Sequence, residues 1–162
     1  MAEITLLQRR EIEAGVIAPL YRAMVEQLGE DQARAILLTT IDRLAHDSGC
    51  LAAERTGGND LAHLKQAVSG WTAGNALELT IIRDEPDQLA FDVTRCRYAE
   101  MYRRLGLAEL GPLLSCRRDA AMMAGFNPRI RLERSQTIME GADHCPFRFH
   151  LDPTQEAHGP QK

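Results

Sequence analysis

Aromatic residues are scarce in this 162-residue chain: one Trp, three Tyr and four Phe. A core that buries enough apolar surface to fold must therefore rest largely on Leu, Ile, Val, Ala and Met. Lysine is rarer still, at two residues against seventeen arginines. No Lys/Arg cluster is interleaved with aromatics, so the chain carries no nucleic-acid footprint. No apolar run approaches the ~20 residues that cross a bilayer. The opening MAEITLLQRREIEAG turns to charge after two leucines, which is not a secretory hydrophobic segment. A cytoplasmic protein without membrane contact is expected. Its four cysteines include no C-x-x-C pair, and the gaps of 20 and 29 residues between Cys96, Cys116 and Cys145 match no zinc-finger spacing. In a reducing compartment these thiols point away from disulfides and towards chemistry, metal binding or burial.

What is present is one domain's worth of sequence. Thr5 and Gln8 have the spacing of a capping box. Ile17, Tyr21, Met24 and Leu28 then recur at helical spacing up to Gly29, with Pro19 expected to kink or split the helix. A second helix is predicted from Asp31 to Glu54 on a stripe of Leu37, Ile41, Leu44, Ser48 and Leu51, with Cys50 a small buried hydrophobe beside it. A third, capped by Asn59 or Asp60, carries Leu61, Leu64, Val68 and Trp71. After Gly74 the period changes to two, and residues 76–95 read as a β-hairpin turning at Asp84-Glu85-Pro86-Asp87. A helix over Arg97–Leu105 follows, then another opened by Gly111-Pro112 and ended by Gly125. Strands are predicted at 129–139 and 146–151. The expectation is an α+β fold: an N-terminal helical layer on an antiparallel sheet of about four strands, with two inserted helices. A single domain over 1–151 would precede a mobile polar tail, 152–162, and the long N-terminal stripes suit a homo-oligomer.

Charge is uneven. Residues 95–148 hold ten arginines and six acids, whereas the rest holds nine basic and seventeen acidic residues. The basic part suits a small anionic ligand, because guanidinium forks match carboxylates. A preference for Arg codons accounts for the arginines equally well.

Three thiols gather in the same part. Cys96 closes a strand just before a helix, where the helix terminus, Arg95 and Arg97 would favour a partial thiolate near neutral pH; the plainer account is a small plug in a strand–helix joint. Cys116 has Asp119 at i+3, on the same helical face. That pair can attack, move a proton or complete a metal shell; otherwise Asp119 pairs with Arg117 or Arg118 on a solvated surface. His144 adjoins Cys145 before the last strand, and strand neighbours point to opposite faces. His46, His63, His150 and His158 suggest no role.

The segments RREIEAGVIAPL, TGGNDLAHL, TRCRYAEMYRRLGLAEL, GPLLSCRRDA, GFNPRIRLERSQTIMEGA and HCPFRF, in this order and spacing, resemble the L-2-amino-thiazoline-4-carboxylic acid hydrolase family over most of the chain. The family's last motif tends to read Cys-Asp-Phe; here Pro146 stands in place of the Asp. The resemblance implies a hydrolase acting on a carbon–nitrogen or carbon–sulfur bond of a small cyclic amidine or amide, such as 2-amino-thiazoline-4-carboxylate opened to an N-carbamoyl amino acid. Two routes suit the residues. Either Cys116 attacks as a thiolate with Asp119 assisting, or Cys96, Cys116 and Cys145 hold a divalent metal such as zinc whose water attacks, with Asp119 as base. Arg131 or Arg134 would clamp the substrate carboxylate, and Tyr98 or His144 would protonate the leaving group. The competing expectation is a non-enzymatic sensor-like module for a small ligand or metal, of the kind represented by domains resembling 4-vinyl reductases. A scaffold whose cysteines merely pack is a third account, which leaves Asp119 and the arginines without a role.

Overall fold

A computed structural model describes residues 4–153. The predicted polar tail falls outside the described residues from position 154 on. Helix α1 runs Leu6–Leu28 and starts with the expected capping box: Gln8 N donates to Thr5 Oγ1 at 3.2 Å, and Thr5 N to Gln8 Oε1 at 2.8 Å. The helix is not split at Pro19. Its buried stripe is Ala14, Ala18 and Tyr21, whereas Leu28 is exposed.

Helix α2, Glu30–Thr56, buries Ala33, Leu37, Ile41, Ala45 and Gly49, a strict four-residue spacing. Leu44 and Leu51, expected to face inwards, are exposed. Small residues win the interior because another helix backbone lies against them. A Cβ on Gly49 would collide with the backbone of Met122 and Phe126, and one on Gly125 with the His46 carbonyl. Cys50 is half-buried at the same crossing and donates to the Gly125 carbonyl at 3.3 Å. Helix α3, Leu61–Ser69, is capped by Asp60, whose carboxylate accepts from His63 N at 3.0 Å. Trp71 lies beyond it in a 3₁₀ segment, Gly70–Asn75.

Strands β1 (Leu77–Glu85) and β2 (Gln88–Cys96) form the predicted hairpin. Helix α4 is Arg97–Arg104. A π-helical turn, Pro112–Cys116, leads through Arg117 into α5, Arg118–Phe126. Strand β3 covers only Ile130–Glu133, then a 3₁₀ turn spans Ile138–Glu140, and β4 is Cys145–Leu151. The strand expected to reach 139 stops early because Arg134 leaves the ladder to bond groups on α5 and the π-turn. The four strands form one antiparallel sheet in the order β1-β2-β4-β3. This is the α+β architecture expected, with α4 and α5 inserted between the two hairpins.

The core has two parts. One, beneath the helices, gathers Ala14, Ala33, Leu37, Ile41, Met101, Tyr102 and Leu114. The other, on the sheet, gathers Leu64, Phe91, Val93, Phe126, Phe147 and Phe149. Phe91 and Phe147 are cross-strand partners and stack at 5.0 Å between centroids. The scarce phenylalanines are thus spent in one place. Leu77, Cys96 and Ile138 pack against both parts and mark the seam between them.

Candidate functional site

At that seam lies a cavity of about 90 Å³. Leu6, Leu77, Val93, Met122, Met139 and Phe147 give it mainly apolar walls, and its polar lining includes Cys96, Cys116 and Cys145. The three cysteines therefore converge from three segments, as do Tyr98, Asp119 and Arg134. Each reaches the cavity for a local reason. Cys96 is the N-cap of α4 and its Sγ accepts from Ala99 N at 3.4 Å. Cys116 ends the π-turn, a wide turn closed by the bond from Arg117 N to Pro112 O at 2.9 Å; such turns shift the side-chain phase of a helix. Asp119 follows in the first turn of α5. Cys145 opens β4, where its Sγ accepts from Ile138 N at 3.1 Å.

Asp119 is neither on the surface nor paired with Arg117. Its Oδ2 takes Nη1 of Arg134, and Arg134 Nη2 donates to the Cys116 carbonyl at 2.9 Å. These side chains keep 19% and 14% of their exposure, so the ion pair is largely desolvated. The Arg134 guanidinium also lies 5.0 Å from the Phe147 ring centroid, a cation–π contact that fixes its plane. Arg117 is held away by a fork to Asp42, with bonds of 2.8 and 2.7 Å. The buried Arg118 donates to Leu114 O at 2.7 Å and to Glu13 Oε2 at 3.2 Å.

Burial sets the protonation states. It pushes the Cys116 thiol up to about 12, and the nearby Asp119 charge adds to the rise while Arg134 opposes it. Burial likewise pushes Cys96 up to about 11 against the stabilising Ala99 N–H, and Cys145 is raised for the same reason. The expectation of a partial thiolate at Cys96 is thus corrected. Desolvation outweighs the helix terminus there, and the flanking arginines turn elsewhere, Arg95 to Glu78 and Glu100 and Arg97 to the Gly74 carbonyl. Asp119 is pushed up by burial against the pull of Arg134. Burial also raises the Tyr98 phenol, which donates to Trp71 O at 3.1 Å.

Two residues expected at the site are absent from it. Arg131 sits on β3 between Ile130 and Leu132, which face the core; alternation turns it outwards, where it meets Glu133 at 2.7 Å. His144 lies in the turn before β4, bonded to Asp143 at 2.6 Å and to Gln136 at 3.2 Å, with 38% of its side chain exposed. It faces away because its neighbour Cys145 faces in. Pro146 also lies on the outer face, opposite Asp92 in the ladder, so the departure from Cys-Asp-Phe does not reach the cavity wall. Among the described residues, no three His, Cys, Asp or Glu side chains stand together so as to hold a metal ion. Cys96, Cys116 and Cys145 line one cavity without forming a gathered ligand set.

The lining also contains Arg10, which the sequence reading passed over. The signal was available: Arg10 stands four residues before Ala14 and eight before Ala18, on the buried stripe of α1. A charge on an inward stripe marks a special environment.

No curated protein matches the chain. Among solved structures it resembles the phenol-responsive sensory domain of the transcription activator PoxR with phenol, at 13% identity and a TM-score of 0.52, covering 93% of this chain and 76% of that one. A trafficking protein particle complex subunit 3 from Naegleria fowleri, covalently bound to palmitic acid, is similar at 11% identity and a TM-score of 0.49, covering 88% and 97%. The former likeness shows a shared fold. Among the described residues no helix is long and apolar enough to cross a membrane. The match that spans the site is to a family: residues 9–149 fit the family described as L-2-amino-thiazoline-4-carboxylic acid hydrolase, and the chain belongs to it.

Proposed function

We propose that the protein hydrolyses a small cyclic amidine, such as 2-amino-thiazoline-4-carboxylate, to an N-carbamoyl amino acid. One observation carries the reading. Cys116 and Asp119 open onto a single partly open, mainly apolar cavity, with Arg134 bonded to both segments. Asp119 is the one carboxylate among the residues lining that cavity. In the apolar site a neutral thiol gives up its proton as it attacks, and Asp119 is the acceptor at hand, one helical turn away. The thiolate of Cys116 adds to the amidine carbon and the ring carbon–sulfur bond breaks, the leaving sulfur taking a proton. Water then adds to the same carbon and displaces Cys116, so its oxygen becomes the carbamoyl oxygen and Cys116 regains its proton. Tyr98 stands in the lining as a neutral phenol whose one O–H, held by the Trp71 carbonyl, would have to swing from it to donate to the leaving sulfur. Water exclusion by the apolar walls strengthens each of these polar interactions.

The experiment is a ring-opening assay on wild type, Cys116→Ser and Asp119→Asn, with elemental analysis of protein purified without chelator. The covalent route requires both variants to lose at least a hundredfold in kcat. Full activity in Cys116→Ser with no metal would sink it, and stoichiometric zinc would favour the metal-bound water. A second reading, a small-ligand sensor module, draws on the apolar walls and on the fold shared with a phenol-responsive domain. It requires tight binding of phenol or the thiazoline without turnover.

We further place the protein in the cytoplasm, where four free thiols persist, and as a homo-oligomer through its N-terminal helices. The outward faces carry Ile12, Val16 and Leu20 on α1 and Ile36, Leu44 and Leu51 on α2, all about half exposed. Light scattering of wild type against Val16→Glu tests this; a monomeric wild type removes it.

A further inference from the structure

The charge around the cavity does not balance. Three guanidiniums line it, from Arg10, Arg118 and Arg134. Asp119 answers Arg134. That leaves Glu13 to answer both Arg10 and Arg118, and it does so through a single oxygen: Oε2 takes Arg10 Nη1 at 2.6 Å and Arg118 Nη2 at 3.2 Å. Three cations thus meet two carboxylates, and the surplus charge sits at the α1 end of the cavity.

The three arginines are not equally available. Arg134 has both terminal nitrogens engaged and one face against Phe147. Arg118 is 7% exposed and spends Nε on the Leu114 carbonyl. Its cation is disfavoured first by burial and then by the Arg10 charge, against the pull of Glu13. Arg10 keeps 12% of its side-chain exposure and uses Nη1 on Glu13. Among the described residues its Nε and Nη2 make no hydrogen bond, and no buried side-chain nitrogen or oxygen is left unsatisfied. Those donors therefore keep accessible surface, on a side chain that lines the cavity.

We infer that Arg10 is the specificity residue of this cavity: it receives the carboxylate of a small monoanionic ligand, with Arg118 as the second cation and Glu13 setting the net charge to plus one. The inference rests on the ligand-binding role proposed above and names the group that would be recognised. It also replaces the clamp expected at Arg131 or Arg134. A carboxylate entering here completes the missing charge and pairs with a guanidinium in its natural geometry. A neutral analogue of the same shape leaves the surplus cation buried without a partner. A dianion overshoots it.

Calorimetry with 2-amino-thiazoline-4-carboxylate and its 4-carboxamide tests the point. Wild type is expected to bind the carboxylate at least thirtyfold tighter than the carboxamide. Arg10→Gln should bring the two within threefold of each other, and Arg10→Lys should fall between. Glu13→Gln, which removes the shared counter-ion, should tighten carboxylate binding several-fold; a purely structural role would weaken it. Equal affinity of wild type for the two compounds overturns the inference, even if Arg10→Gln fails to fold. So does a carboxylate preference that survives in folded Arg10→Gln. The hydrolase reading fails separately. If the carboxylate binds with the expected preference and the ring is never opened, the anion site stands and the activity falls. If the ring is opened with no preference between acid and amide, the activity stands and Arg10 loses its role. Binding of neither compound overturns the inference outright.

Discussion

The helical and sheet halves of the core solve the same packing problem with opposite materials. Under the helices, the interior of α1 and α2 is largely Ala and Gly, with Leu37, Ile41 and Tyr21 between them. On the sheet, Phe91, Phe147 and Phe149 fill the space with stacked and tilted rings. Small residues let backbones approach; large ones hold layers at the sheet-to-helix distance. The difference teaches where chemistry can be placed. The two cores meet at a cavity, and that cavity is lined by three thiols, a carboxylate and three guanidiniums.

The largest test of that seam is Arg134→Gln. It leaves Asp119 buried without its counter-ion and unties the chain after β3 from α5. A loss of about 3–5 kcal/mol is expected by denaturant titration, and a cost under ~1 kcal/mol would show that the pair does not join the halves. Gly125→Ala comes next. It forces α5 off α2, and such overpacking costs about 1–3 kcal/mol; the companion Gly15→Ala, which meets no atom, should stabilise slightly through helix propensity.

Alkali probes the seam more gently. Cys96 and Cys116 hold their protons up to about 11 and about 12, against about 8.5 in an unfolded chain. The folded state binds these protons more tightly. Stability is therefore complete below the unfolded value and lost as pH rises through the folded ones, by about 1.4 kcal/mol per pH unit for each thiol. Denaturation midpoints from pH 7 to 11 check the slope, and Cys96→Ala should flatten it. The smallest effect belongs to Asp60→Ala, which removes the α3 cap far from the seam. About 1 kcal/mol should go, with ligand affinity unchanged.

The hairpin, the cap at Thr5, the α3 cap to within Asn59 or Asp60, and the pairing of Cys116 with Asp119 on one face were all legible in the sequence, because each depends on neighbours within a few residues. The inward faces of the long helices were not. Leu44 and Leu51 look like core and Ala45 and Gly49 look like filler until another helix is laid against them. Protonation was equally hidden. A thiol at a helix start reads as activated, and only the three-dimensional environment shows that burial wins. Arg10 was legible from its place on the Ala14–Ala18 stripe, whereas the arginine-rich half points to Arg131, which strand alternation turns outwards.

The crossing of α2 and α5 at Gly49 and Gly125 has a practical corollary for redesign. With backbone seated on backbone, α5 cannot slide outwards to admit a bulkier ring, so the cavity cannot be enlarged by loosening that helix. Met139 is held from behind by Gly111, where an added methyl would strike its sulfur. Trimming Met122 or Met139 is then the route to a wider substrate range, and adding bulk at Gly111 is a way to narrow it.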